Sequence, residues 1–242
     1  MSVLPALREL LERRFPDATP LTHRTAEPVA TGIPGLDKIL PGGGLPRARL
    51  TVWLPKGGAT AILTAAAQKS VASGERAAWI DGMGCISGPY WKEGPLLVRP
   101  KSRTTALRGA EELLRCGGFA LVVLSGVEPD ATETVRLSRA VREGGGAFVA
   151  LTPHAAMASL RLTSSILPRG YDWEPSPFGE PAQVRRARIL VHAHSLGWSA
   201  KTELVLPVSQ HALRCALDPG IVDRRGVLPG SRKQTTRQLA QR

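Results

Sequence analysis

The stretch Phe119-Ala-Leu-Val-Val-Leu124 constrains the fold more than any other part of this chain. Successive side chains of a strand point to opposite faces, so a strand apolar at every position has no face fit for water. Such strands belong inside parallel sheets whose crossover helices cover both sides. Ala147 to Leu151 repeats the pattern; Leu50 to Leu54 and Ala77 to Ile80, ending at Asp81, read as further strands, and Leu96 to Val98 is another candidate. Between them lie helical patterns: an alanine-rich run from Ala61 to Ser73 stopped by Gly74, then Thr105 to Cys116, then Ala131 to Arg142. The alternation predicts an α/β fold with a mostly parallel central sheet flanked by helices on both faces.

The last third changes character. Ser165 to Pro181 is rich in Pro, Gly and aromatics and reads as a long loop carrying Tyr171, Trp173 and Phe178. Val184 to His194 alternates and predicts an antiparallel strand, paired across a turn near Gly197 with Thr202 to Val208; a short strand is expected from His211 to Leu217. Upstream, Thr31 is placed to start a short helical turn with Leu36, Ile39 and Leu40 on its buried side, and Pro41 to Pro46 is a turn region. At the N-terminal end, Val3, Leu4, Leu7, Leu10 and Leu11 share one stripe of an amphipathic helix before a linker from Phe15 to Val29. For 242 residues, with about 150 per domain as the prior, the division is a helix and linker over 1–27, a core domain over 28–217 and a basic tail over 218–242.

Hydrophobic residues at 43% exclude wholesale disorder. The net charge of +12 favours an acidic or polyanionic partner without choosing one. Cys85, Cys116 and Cys215 form no ligand cluster; Cys116, closing an apolar helical pattern, reads as a buried thiol, and the set fits a reducing compartment. With no signal-peptide pattern and no apolar window of about 18 residues, no membrane contact is predicted and the expected location is the cytoplasm.

The loop Leu54-Pro-Lys-Gly-Gly-Ala-Thr-Ala61 stands between a strand and a helix, where a phosphate-binding loop belongs. Such a loop needs a lysine at the helix start for the terminal phosphates and then a hydroxyl residue for magnesium. Ala59 and Thr60 occupy the glycine-lysine positions, Ala61 replaces the hydroxyl, and Lys56 lies ahead of Gly57 and Gly58. The strand Val122-Val-Leu124 delivers Ser125 where a metal-binding aspartate is required. Asp81, with no carboxylate close behind it, reads as a turn or cap group. No catalytic residue, nucleotide cofactor or metal is assigned. His192 and His194 would point the same way from a strand, but zinc needs further ligands.

Several of these segments resemble the RecA recombinase core, and more closely the ImuA family of RecA-like accessory proteins. Thr31-Gly-Ile-Pro-Gly-Leu-Asp37 is similar to the motif that opens the RecA core, and Gly43-Gly-Leu-Pro-Arg-Ala-Arg-Leu50 to the glycine-rich segment before its phosphate-loop strand. Trp79-Ile-Asp81 resembles the strand preceding the catalytic glutamate, with Met83 in that glutamate's place. The γ-phosphate-sensing pair corresponds to Thr152 and Pro153. The resemblance covers roughly residues 28–210. It implies a RecA-like P-loop NTPase-type core that has lost ATP chemistry, and a noncatalytic role in SOS-induced mutagenic translesion DNA synthesis. The implied partners are an ImuB-like inactive Y-family polymerase homologue, through it an error-prone polymerase alpha subunit, and RecA itself. The alternative is a DNA-binding repair or recombination regulator. Candidate contacts for protein or DNA are Leu7 and Leu11, the aromatics Tyr171 and Trp173, the strand cations Arg185, Arg186 and Arg188, and the tail cations Arg224, Arg225, Arg232, Lys233 and Arg237.

Overall fold

The computed structural model describes residues 27–208 apart from 85, 87–93, 154–156, 176–177 and 180. The expected N-terminal helix with Leu7 and Leu11, the strand from His211 and the tail cations from Arg224 to Arg237 lie outside the described residues.

The apolar runs form the interior of one eight-stranded sheet. In chain order the elements are α1 (Pro34–Ile39), β1 (Leu50–Trp53), α2 (Ala59–Ala72), β2 (Ala77–Asp81), β3 (Leu96–Val98), α3 (Arg103–Arg115), β4 (Leu121–Ser125), α4 (Ala131–Gly144), β5 (Ala147–Leu151), β6 (Leu160–Pro175), β7 (Pro181–Ser195) and β8 (Trp198–Pro207). Across the sheet the strands run β3-β2-β4-β5-β1-β6-β7-β8. Every pairing from β3 to β6 is parallel; β6 with β7 and β7 with β8 are antiparallel.

Strand alternation splits the core into two layers. Trp53, Trp79, Val123, Val149 and Leu162 pack under α1 and α2. Leu50, Val52, Ile80, Val122 and Phe148 face the other way, under α3 and α4. The helix ends carry the expected signals: Ser102 caps α3 by accepting from Thr105 N, and Asp130 with Glu133 forms a capping box at α4. Among the described residues α3 and α4 reach only as far as β1, and no described helix packs on the same face of β6, β7 and β8. Exposed residues there include Arg161, Thr163 and Ser165 on β6, Arg186, Arg188, His192 and His194 on β7, and Ser199, Lys201, Glu203 and Val205 on β8.

Two expectations are corrected. Ser165 to Pro181 is not a long loop: β6 continues to Pro175 and β7 begins at Pro181, making a long hairpin. The prolines and glycines that read as loop punctuation fall where the ladder is already broken. Ile166 pairs with Ile189 and Tyr171 with Ala187, so residues 167–170, including Pro168 and Gly170, bulge opposite Arg188 alone. Arg169 takes a left-handed φ of 57° there. A proline in a bulge forfeits no ladder hydrogen bond. Cys116 is exposed rather than buried, because α3 ends at Arg115 and leaves it at the C-cap, its thiol donating to Leu113 O at 3.2 Å.

Candidate functional site

In open α/β sheets, ligands bind beyond the carboxyl ends of the strands. Here that edge brings together the loop after β1, Asp81 and Met83 after β2, Ser125 at the end of β4 and Thr152 after β5. Parallel pairing sets Asp81 beside Ser125 and Ser125 beside Leu151, and Thr152 N donates to Trp53 O at 3.0 Å. The positions singled out in the sequence therefore do converge.

What they do there is structural. Gly57 and Gly58 have φ of 61° and 85°, and Gly58 is the N-cap of α2, so the helix begins at Ala59, two residues before the expected start. A Cβ on Gly57 would lie 2.1 Å from Ser164 O and 2.6 Å from Ser165 Cα. A Cβ on Gly58 would lie 2.5 Å from Ile189 Cδ1. The loop is thus pressed against β6 and β7, and its glycines answer a close approach of protein backbone. Ser164 fastens the contact: its hydroxyl donates to Lys56 O at 2.8 Å and accepts from Trp53 Nε1 at 3.1 Å. Leu54 N adds a bond to Leu162 O at 3.0 Å. Lys56 and Thr60 are exposed, and Ala61 is half-buried on α2.

Ser125 is equally committed. It accepts from Trp79 Nε1 at 2.8 Å and lies 3.2 Å from Ile80 O, to which its hydroxyl donates. Trp53 and Trp79 are both fully buried, so each indole N–H needs an acceptor, and each finds a serine hydroxyl at this edge. Asp81, 2% exposed, accepts from Ile86 N at 2.7 Å, as a turn-fastening carboxylate should. Met83 is 72% exposed. Sequence reasoning misses the pairing of Trp53 with Ser164, since the two residues are 111 apart and leave no local pattern.

The remaining candidates separate. Arg186 and Arg188 are exposed in phase with His192 and His194, pointing away from the buried row of Ala187, Ile189, Val191 and Ala193. Tyr171 pairs with Ala187 and so takes the opposite face, in edge contact with Trp173 at a centroid distance of 6.4 Å. The aromatics and Arg186 and Arg188 do not form one surface. Arg185 lies 3.8 Å from Glu174. Among the described residues no group of three or more His, Cys, Asp or Glu is arranged to hold a metal, and no helix is long and apolar enough to cross a membrane.

Removing the Ser164 hydroxyl strands a buried indole N–H and the Lys56 carbonyl together. Ser164→Ala is expected to cost about 1–3 kcal/mol, read by urea unfolding monitored through tryptophan fluorescence. Unchanged stability would mean that the loop is held by other contacts.

The fold and this edge define a mixed α/β protein with a largely parallel eight-stranded sheet, in which the loop after β1 is seated on β6 and β7. The chain matches no protein-family model and no curated protein.

Proposed function

We propose that the protein is a noncatalytic RecA-like accessory factor of mutagenic translesion DNA synthesis, acting by binding an ImuB-like inactive polymerase homologue. The observation that carries this reading is that the loop after β1 and Ser125 are engaged in packing at the carboxyl edge of the sheet. The Walker B position is a serine bonded to Trp79, and the glycine pair is seated against β6 and β7. The lysine and magnesium-binding hydroxyl positions hold Thr60 and Ala61. A fold kept without its chemistry is useful as a surface. The strand order also favours a RecA-like P-loop core, since β1, β5 and β4 lie side by side with the degenerate positions at their carboxyl ends. RecA is a further candidate partner in this reading, and an error-prone polymerase alpha subunit joins through the ImuB-like protein.

Two measurements test it. Co-purification with the ImuB-like homologue is expected without added nucleotide; failure to co-purify in any nucleotide state removes the partner. Magnesium-ATP at about 1 mM is expected to leave the melting temperature unchanged. A ligand at 100 times its Kd would stabilise the fold by about 2.7 kcal/mol, so a rise of several degrees would restore a working nucleotide site.

A further inference from the structure

The face of β6, β7 and β8 that no helix among the described residues covers carries an arrangement the accessory-factor reading does not use. Two adjacent cross-strand rows, at the end nearest the start of β6, contain cations, imidazoles and hydroxyls with no carboxylate. The first row is Arg161, His194 and Ser199; the second is Thr163, His192 and Lys201. The next row, Ser165, Leu190 and Glu203, brings the first acid. Along β7 the rows are about 7 Å apart, two residues of strand rise.

A cavity of about 310 Å³ opens beside the first row. Arg47, Arg49, Arg142, Ser138 and Ser159 are in its wall. Ser159 lies two residues before Arg161, hence on the same face, and it is tied down: its hydroxyl donates to Leu50 O at 3.0 Å, and Ser195 Oγ donates to Ser159 O at 2.7 Å. Arg47 is engaged with Glu75 and with Glu27 O, whereas Arg49 and Arg142 are exposed. Ser138 is 5% exposed, and its buried hydroxyl makes no hydrogen bond. Through Ser159, two residues before Arg161, a cavity with two exposed guanidinium groups and an unsatisfied hydroxyl neighbours the strip of cations and hydroxyls.

We propose that this strip, from Arg49 and Arg142 through Arg161 and His194 to His192 and Lys201, binds the phosphate backbone of single-stranded nucleic acid. Guanidinium groups take phosphate oxygens bidentately, and hydroxyls and a lysine complete such a track. Acid-free rows exclude the repulsion that an ordinary mixed surface would impose on a polyanion. The face is an open sheet, fit for an extended strand. The aromatic pair Tyr171 and Trp173 shares the opposite face, so the strip offers no stacking platform and the binding is sequence-independent. This places nucleic-acid contact on the core strands, away from the tail, and it holds whether or not the ImuB-like partner is correct.

The experiment uses the full chain and a fluorescein-labelled oligo-dT of about 30 nucleotides, read by anisotropy over a salt series. Wild type is expected to bind, with affinity falling as salt rises, and oligo-dA of equal length is expected to bind within about threefold. Lys201→Glu with Arg142→Glu is expected to weaken binding about tenfold or more and to flatten the salt slope by about 0.7 for each phosphate no longer neutralised. Both residues are exposed, so the melting temperature should be kept; the milder Lys201→Gln with Arg142→Gln provides the same reading should the reversals unfold the chain. Unchanged affinity in folded variants overturns the proposal. So does loss of binding only on replacing Arg224, Arg225, Arg232, Lys233 and Arg237, which would assign the contact to the tail. Equal binding of polyglutamate, or preference for duplex of the same length, overturns the choice of occupant.

Discussion

Gly57→Ala is expected to lower the melting temperature by about 5–15 °C, with no nucleotide present and no recovery when magnesium-ATP is added. The new Cβ would fall 2.1 Å from Ser164 O, 2.4 Å from Ser164 C and 2.6 Å from Ser165 Cα. All three are backbone atoms, so no rotamer change relieves the contact; the loop after β1 must lift or β6 must shift. The φ of 61° adds its own penalty for a residue with a side chain. Overpacking and the left-handed backbone together come to about 2–5 kcal/mol. Gly58→Ala is the internal comparison. Its clash, at 2.5 Å, is with Ile189 Cδ1, the free end of a side chain that can turn away, so the cost is mainly the φ of 85° and about 1–2 kcal/mol. In a working phosphate loop the glycines make room for a ligand, and their replacement is felt in binding. Here β6 occupies that approach, and the replacement is felt in folding. A Gly57→Ala protein that melts like wild type would show that the loop is not seated on β6.

How much of this could be read from the residues follows from the range of the forces involved. The central strands were legible because double-sided burial leaves them almost wholly apolar, with Thr51, Asp81 and Ser125 as the polar residues of β1, β2 and β4; β4 and β5 need no knowledge of their neighbours to be recognised. The lack of a phosphate-loop lysine and of a strand-end aspartate was legible too, since Thr60, Ala61 and Ser125 are read straight from the sequence. The hairpin of β6 and β7 was hidden because composition cannot say whether Pro168 and Gly170 end a strand or fill a bulge within it; that depends on Arg188 across the ladder. The seating of the loop after β1 on β6 was hidden for the same reason. Lys56 and Ser164 are 108 residues apart, and nothing near either one announces the other. Nor does any local pattern show that α3 and α4 stop short of β6, which is what leaves Arg161 and Lys201 on an open face.

Asp37→Ala is expected to destabilise the fold by about 2–4 kcal/mol, because the Asp37 carboxylate fastens the turn that precedes α1. Asp37 Oδ1 accepts from Thr31 N at 2.8 Å and from Thr31 Oγ1 at 2.7 Å. Thr31 Oγ1 accepts in turn from Ile33 N at 3.2 Å. Thr31 is fully buried, so truncating the carboxylate leaves a backbone N–H and a hydroxyl without this acceptor, away from water. The motif's turn holds α1 over β8: a Cβ on Gly35 would lie 3.1 Å from Leu204 Cδ2, and Leu36 on α1 is fully buried. Loosening it therefore weakens the packing of the sheet's antiparallel end as well. Asp37→Asn keeps an acceptor oxygen and loses only the charge, so it should cost about 1 kcal/mol, and chemical denaturation of the two variants gives the ordering directly. Thr31 and Asp37 do their work on the chain itself, whereas Lys56 and Thr60 are exposed. An Asp37→Ala protein of native stability that failed to bind its partner would reverse that division and make the motif a contact surface.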